Sequence, residues 1–248
     1  MPQILLEVAI ESVQDAVSAV AGGAGRLELC AALDLGGLTP SLGSYEQVRK
    51  STSLPIVVMI RPRAGDFVYD QWELAAMKRD IEHFLPFNPD GFVFGALTPD
   101  AIINVPACRE LVKAAWGVRC VFHRAFDKTA DNRKSLEDCI SLGFTRILTS
   151  GKGTDALAGS PNLAKLQLLS KGRIGILPCG KVRASNVAEI HRLTDCCEVH
   201  GSFAMSNPER DTPGQRGYLR RSHTSQDAVA ACRAVLNGIA NDASKAMH

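Results

Sequence analysis

The sequence has no CxxC pair, no basic stripe interleaved with aromatics, and no apolar run near the roughly 18 residues that span a bilayer. Each absence removes a class of function. Basic residues are dispersed and the net charge is only +2, so no nucleic-acid partner is expected. Without a long apolar run, no membrane segment is expected. The opening "MPQILLEV" has no basic stretch leading into a long apolar one, so no secretory leader is expected. The 8 cysteines, at 30, 108, 120, 139, 179, 196, 197 and 232, therefore read as reduced thiols in a cytoplasmic protein, several of them buried. In the adjacent pair, Cys196 and Cys197, one thiol is expected in the core and one against a helix.

What is present is repetitive. Short, almost continuous apolar runs recur: "ILLEV" at 4, "RLELC" at 26, "PIVVMI" at 55, "DGFVF" at 90, "VRCVF" at 118, "TRILT" at 145, "RIGIL" at 173 and "CCEVH" at 196. Such runs mark strands covered on both faces. Helical patterns lie between them. "SVQDAVSAVAGG" starts on a capping serine, Ser12, and stops at Gly22 and Gly23. Eight strand candidates start 22 to 35 residues apart, and the 248 residues are 46% hydrophobic. This predicts an α/β fold, a TIM (β/α)8 barrel, with residues 1–248 forming a single domain. An open doubly wound sheet would more typically carry a glycine-rich first turn, and "EVAIES" has no glycine. A polar, glycine-rich loop at about 201–224 is expected over the barrel mouth, followed by a helix at about 225–240.

Charges gather where these runs end, the end at which barrels of this kind place their sites. Glu7 ends the first strand, and Glu28 and Cys30 share a face of the second. Arg61 and Arg63, also two apart and so on one face, end the third in "MIRPRAGDF", with Asp66 close behind. "VFHRAFD" brings His123, Arg124 and Asp127; Thr149 and Ser150 end the sixth strand, and His200 the eighth. Arginine offers a planar fork of donors suited to carboxylate or phosphate. Glutamates and a histidine can move protons near neutral pH. Glu7, Glu28 and His123 are thus candidate acid–base residues. Arg61, Arg63, Asp66, Arg124, Asp127, Ser150 and His200 are candidate contacts for a small anionic ligand. The plainer alternative is that these charges form salt bridges closing the barrel end. After strand seven, "LPCGKVRASN" has one glycine but also Lys181 and Arg183, a weak signal for a phosphate cradle.

The segments "LEVAIES", "GAGRLELC", "GGLTPSLG", "VVMIRPRAGDFVY", "DGFVFGALT", "VFHRAFD" and "GFTRILTSG" resemble the CutC family of copper homeostasis proteins, in unbroken order from about residue 4 to about 205. The resemblance implies a TIM-barrel-like fold, a cytoplasmic location, Cu(I) as ligand and a homo-oligomer. Two departures bear on that ligand. Some members have cysteine where this chain has Ala9, and many have a multi-glycine turn where it has Cys179, Gly180 and Lys181.

Cu(I) prefers thiolate, thioether and imidazole. Cys30 is the candidate metal ligand, with Cys179 and His200 as further donors near the mouth. With Ala9 in place of a second thiol, weak Cu(I) binding is expected. Three readings follow: a copper-binding homeostasis protein; an enzyme acting on a small phosphorylated or carboxylated metabolite by acid–base chemistry; and a non-catalytic binding module using the same mouth.

Overall fold

A computed structural model describes residues 3–206 and 222–245. Its strands are β1 (Leu5–Ile10), β2 (Arg26–Leu29), β3 (Ile56–Met59), β4 (Gly91–Phe94), β5 (Cys120–Phe122), β6 (Arg146–Thr149), β7 (Gly175–Pro178) and β8 (Glu198–Gly201). Between them lie α1 (Val13–Ala21), α2 (Leu42–Ser51), α3 (Gln71–Phe84), α4 (Val105–Ala114), α5 (Asn132–Leu142), α6 (Ser160–Ser170) and α7 (Val187–Thr194). The hydrogen-bonded order is β7-β6-β5-β4-β3-β2-β1-β8 and every pairing is parallel. Strands β7 and β8 lie side by side without a ladder, so the ring is closed except along that seam. This is the expected eight-stranded α/β barrel, in sequential order.

The two strand faces do different work. Leu6, Val8 and Ile10 on β1, with Leu27, Ile56, Val58, Phe92, Phe94, Phe122 and Ile147, join the main core with helix residues such as Ala16, Tyr45 and Met77. That core accounts for the continuous apolar runs: these side chains face the helices, and their neighbours face the lumen. A smaller cluster, Cys30, Val57, Met59, Val93, Val121, Leu148, Leu177 and Cys179, fills the lumen mainly from β3 to β7. Branched aliphatics are the usual filling of such barrels. The opposite sector departs from it. There β8, β1 and β2 bring Glu198, His200, Glu7, Arg26 and Glu28 together, joined by Arg146 at the start of β6.

After β8 the chain forms β9 (Ala204–Ser206), which pairs antiparallel with β10 (Ser222–Thr224). Most of the polar segment expected at 201–224 lies outside the described residues. The final helix, α8 (Gln226–Lys245), runs longer than the 225–240 expected. Asp15 in α1 ties this region down: one carboxylate oxygen accepts the Thr224 amide at 2.8 Å and the other accepts from the Ser12 hydroxyl at 2.7 Å. Cys196 is buried, but Cys197 is exposed rather than packed against a helix. Among the described residues, no helix is long and apolar enough to cross a membrane.

Candidate functional site

An unbroken column of charges climbs through the lumen from the strand starts towards the mouth. At the bottom, Glu198 Oε2 accepts from Arg146 Nε at 2.7 Å and from Arg26 Nη2 at 2.6 Å. Arg26 Nε donates to Glu7 Oε2, and Glu7 Oε1 meets His200 Nδ1 at 2.7 Å. The strand register enforces this, because Glu7 is paired with Arg26 on one side and His200 on the other. His200 Nε2 then stands 3.7 Å from Glu28 Oε2, and the Cys30 thiol donates to that same oxygen at 3.6 Å. Glu7 is 1% exposed, Glu28 2% and Cys30 1%, so the upper part of the network is buried, while Glu198 at its base is partly exposed.

Burial and neighbours push the two glutamates apart. Burial alone would raise Glu7, but Arg26 and His200 overcome it and hold its carboxyl at about 2. Burial dominates at Glu28, which rises to about 7; His200 opposes the rise and the Glu7 charge adds to it. His200 is lifted despite its burial, because Glu28 and Glu7 both favour the imidazolium. Burial, then the Glu28 charge, raises the Cys30 thiol well above its usual range. Two like groups with such divided proton affinities are a common property of functional sites. Glu7, Glu28 and His200 also offer ligand atoms within 4.8 Å of one another, an arrangement able to hold a cation.

Above the column opens a cavity of about 310 Å³. Ala9, Glu28, Met59, His123, Leu148, Cys179 and His200 are among its lining residues, and Asp34, Arg124, Lys181 and Arg183 also border it. Gly180 sits at φ +96°, in the left-handed region that favours glycine, where the chain turns beneath Lys181. A second cavity, also about 310 Å³, is lined by Arg61, Phe67, Arg124, Asp127, Ser150 and Lys152, among others. Phe67 and Arg124 border both.

The expected residues thus separate into three groups. Glu28, His123, Arg124 and His200 line the first cavity. Arg61, Asp127 and Ser150 line the second, which Arg124 also reaches. Arg61 is 4% exposed and gives its guanidinium to the carbonyls of Leu35, Gly37 and Gly65, so it clamps the loops after β2 and β3. Asp127 accepts from Ser150 Oγ at 3.1 Å and from the amides of Ser150 and Lys152.

Arg63 and Asp66 line neither cavity, contrary to their expected convergence with the others. Arg63 pairs with Glu73 in the first turn of α3 and with Asp66. The period-two spacing that put Arg61 and Arg63 on one face fails because β3 ends at Met59. Glu7 is not at the strand end but mid-strand, since β1 continues to Ile10; it supports the cavity floor from beneath. Arg26, Glu198 and Arg146, the base of the column, went unrecognised in the sequence, as did Met59 as a donor. A carbon placed on Gly37 would lie 3.2 Å from Cys30 Sγ and 3.4 Å from Met59 Cε, so both side chains reach the same turn, and both belong to the luminal cluster.

Residues 4–205 match the CutC family. This chain belongs to that family. A family protein CutC of Xanthomonas campestris is 46% identical over 197 residues, covering 79% of this chain and 82% of that protein. The human copper homeostasis protein cutC homolog is 40% identical over 228 residues, covering 92% of this chain and 81% of its own length. The crystal structure of CutC from Streptococcus agalactiae superposes with a TM-score of 0.77 at 34% identity, covering 80% of this chain and 98% of that one. The match ends near β9, so the charged column and the cavity floor lie within it while α8 lies outside.

Proposed function

We propose that this protein takes part in copper homeostasis by binding Cu(I) at the floor of the first cavity, in the cytoplasm, where thiols stay reduced. The observation that carries this reading is the meeting of three donors across β1: the Glu28 carboxylate of β2, the Cys30 thiol just after it and the His200 imidazole of β8, with thiol and carboxylate 3.6 Å apart and carboxylate and imidazole 3.7 Å apart. Met59 belongs to the same luminal cluster as Cys30 and lines the cavity, which makes its thioether a further candidate donor. Thiol, thioether and imidazole are the donors Cu(I) favours, and the dry, half-apolar lumen suits a soft ion. Glu7 acts from behind: its bond to His200 Nδ1 orients the ring so that Nε2 faces Glu28, the usual way a carboxylate prepares a histidine ligand. The homologues' names support the copper role; the homo-oligomer implied by the resemblance is part of the same proposal.

The donor set points to modest affinity. Ala9 is in register with Glu28 and lines the cavity, so a cysteine there would have supplied a second sulfur. A single strong thiolate makes Cu(I) exchangeable. Titration of the reduced protein with Cu(I) against a chromogenic chelator should give near one site, emptied readily by a competing thiol. Cys30→Ser should weaken it by about tenfold or more. Tight binding that survives Cys30→Ser would discard this ligand set.

Binding should also tighten as the solution becomes more basic. Burial raises the Cys30 thiol, which holds its proton at neutral pH, and the Glu28 carboxyl, which at about 7 keeps its proton about half of the time; His200 is lifted as well. A metal must displace those protons, so affinity should rise from about pH 6 to about pH 8, by up to about tenfold per pH unit for each proton released. A flat profile would mean the ion binds where no proton is held.

A further inference from the structure

We propose that the mouth cavity binds a small organic anion carrying a carbonyl oxygen, and that His123 is the residue that recognises that oxygen. This goes beyond the copper reading: His123 is not among its ligands, although Glu28 and His200 line the same cavity.

The first support is the state of the His123 ring. Strand β5 stops at Phe122, and His123 caps the short turn that follows, leaving it 2% exposed. Its ring centroid lies 4.8 Å from that of Phe67 and 6.1 Å from that of Phe122, so it is held on two sides. His123 Nδ1 accepts the Ala125 amide at 3.3 Å. A neutral ring that accepts at Nδ1 carries its one proton on Nε2. Burial, then the Arg61 charge, pushes the ring down to about 3, so it is neutral across the physiological range. His123 Nε2 is buried and has no hydrogen-bond partner. Native proteins rarely leave such a donor unsatisfied. His123 lines the cavity while its Nε2 is closed off by its neighbours, so a guest's carbonyl would meet this donor on a small displacement of the ring.

The backbone keeps room for this arrangement. A carbon added to Gly95 would come within 2.9 Å of both His123 Nδ1 and the Phe122 ring. Only glycine there lets the imidazole keep its place. A neutral imidazole N–H is a donor that polarises a carbonyl oxygen without protonating it.

The second support is the charge of the rim. Arg124, Lys181 and Arg183 border the cavity at its rim and only Asp34 opposes them there, with Asp127 offsetting Arg124 from outside at 3.2 Å and Glu28 lying deeper in the same lining. At the rim three cations face two carboxylates. Lys181 is exposed and forms no ion pair among the described residues. Arg183 gives one nitrogen to the Val182 carbonyl and lies 5.7 Å over the Phe203 ring, leaving most of its fork available. A guest with a carbonyl at one end and a carboxylate or phosphate at the other satisfies floor and rim together. At about 310 Å³ the cavity is at the small end of metabolite sites.

The test uses copper-free, chelator-treated protein and two matched pairs of probes: pyruvate with propionate, and dihydroxyacetone phosphate with glycerol 3-phosphate. Calorimetry should show the carbonyl member of at least one pair binding at millimolar strength or better, about tenfold more tightly than its mate. His123→Phe should erase that preference, and Lys181→Ala should weaken both members of the pair. In parallel, the imidazole Nε2–H proton of His123 should shift in the nuclear magnetic resonance spectrum with the carbonyl compound and not with its mate, a readout that stands if His123→Phe fails to fold. The proposal is overturned if neither carbonyl compound binds, if the mates bind equally, if the preference survives His123→Phe, or if the His123 proton does not respond.

Discussion

Glu7→Ala should lower the melting temperature by on the order of 10 °C, the largest stability loss expected for any single truncation in the lumen. Glu7 stands between two groups that depend on its charge. Arg26 is 4% exposed and donates to Glu7 and Glu198, while His200 leans on the other oxygen at 2.7 Å. Removing one partner of a buried ion pair leaves an uncompensated charge and costs about 3–5 kcal/mol. In a chain of this size each kcal/mol lowers the melting temperature by about 2–4 °C. The pH dependence follows from the direction in which the carboxyl is displaced. Glu7 is held at about 2, below its ordinary 4.5, so its contribution is present above the ordinary value and is lost as pH falls from there towards 2. The variant should therefore differ most from wild type near neutral pH and progressively less in acid. Glu7→Leu tests whether the charge or merely its pairing matters: a well-packed leucine that restored stability would show that Arg26 finds enough in Glu198 alone.

The barrel was legible in the sequence because parallel strands covered by helices must be apolar on the helix-facing side and, in this lumen, over much of the inner side as well. "IVVM" in β3 shows both: Ile56 and Val58 enter the main core, Val57 and Met59 the lumen. The site was only partly legible, for two physical reasons. Alternation predicts direction only while the strand lasts. His123 and Arg61 lie just past strand ends, where turns set their direction, and Arg63 swings outward to Glu73 for the same reason. The second reason is that pairing across the ring leaves no local mark. Arg26 and Glu198 are 172 positions apart, and each opens its own short strand. Nothing near either residue says that the other stands beside it. Met59 was hidden in a third way: a methionine in a strand is ordinary filling until it is found lining a cavity, in one luminal cluster with a cysteine.

Glu28→Gln should abolish most Cu(I) binding while leaving the fold intact and, above neutral pH, more heat-stable than wild type. The two effects have one origin. Glu28 is 2% exposed, and its Oε1 is buried without a hydrogen-bond partner, so the fold gives its charged form little support. Burial lifts its carboxyl to about 7 against an ordinary 4.5. A carboxyl raised in the folded state binds its proton more tightly there than in the unfolded chain. Wild-type stability therefore falls as pH rises from about 4.5 to about 7, and a glutamine, which has no proton to lose, escapes that fall. Each tenfold gain in proton affinity on folding is worth about 1.4 kcal/mol, but the Glu28 charge also favours the His200 imidazolium, which offsets part of the advantage. A net advantage of about 1–2 kcal/mol at pH 8, shrinking to nothing by about pH 5, is the expected result. Two measurements decide it. Melting curves of both proteins across that pH range should diverge as the solution becomes basic, and chelator competition at neutral pH should show Cu(I) affinity reduced by about tenfold or more. A uniform loss of stability at every pH would make Glu28 a structural partner of His200. Unchanged copper affinity would remove the carboxylate from the ligand set and leave the thiol, thioether and imidazole to hold the ion.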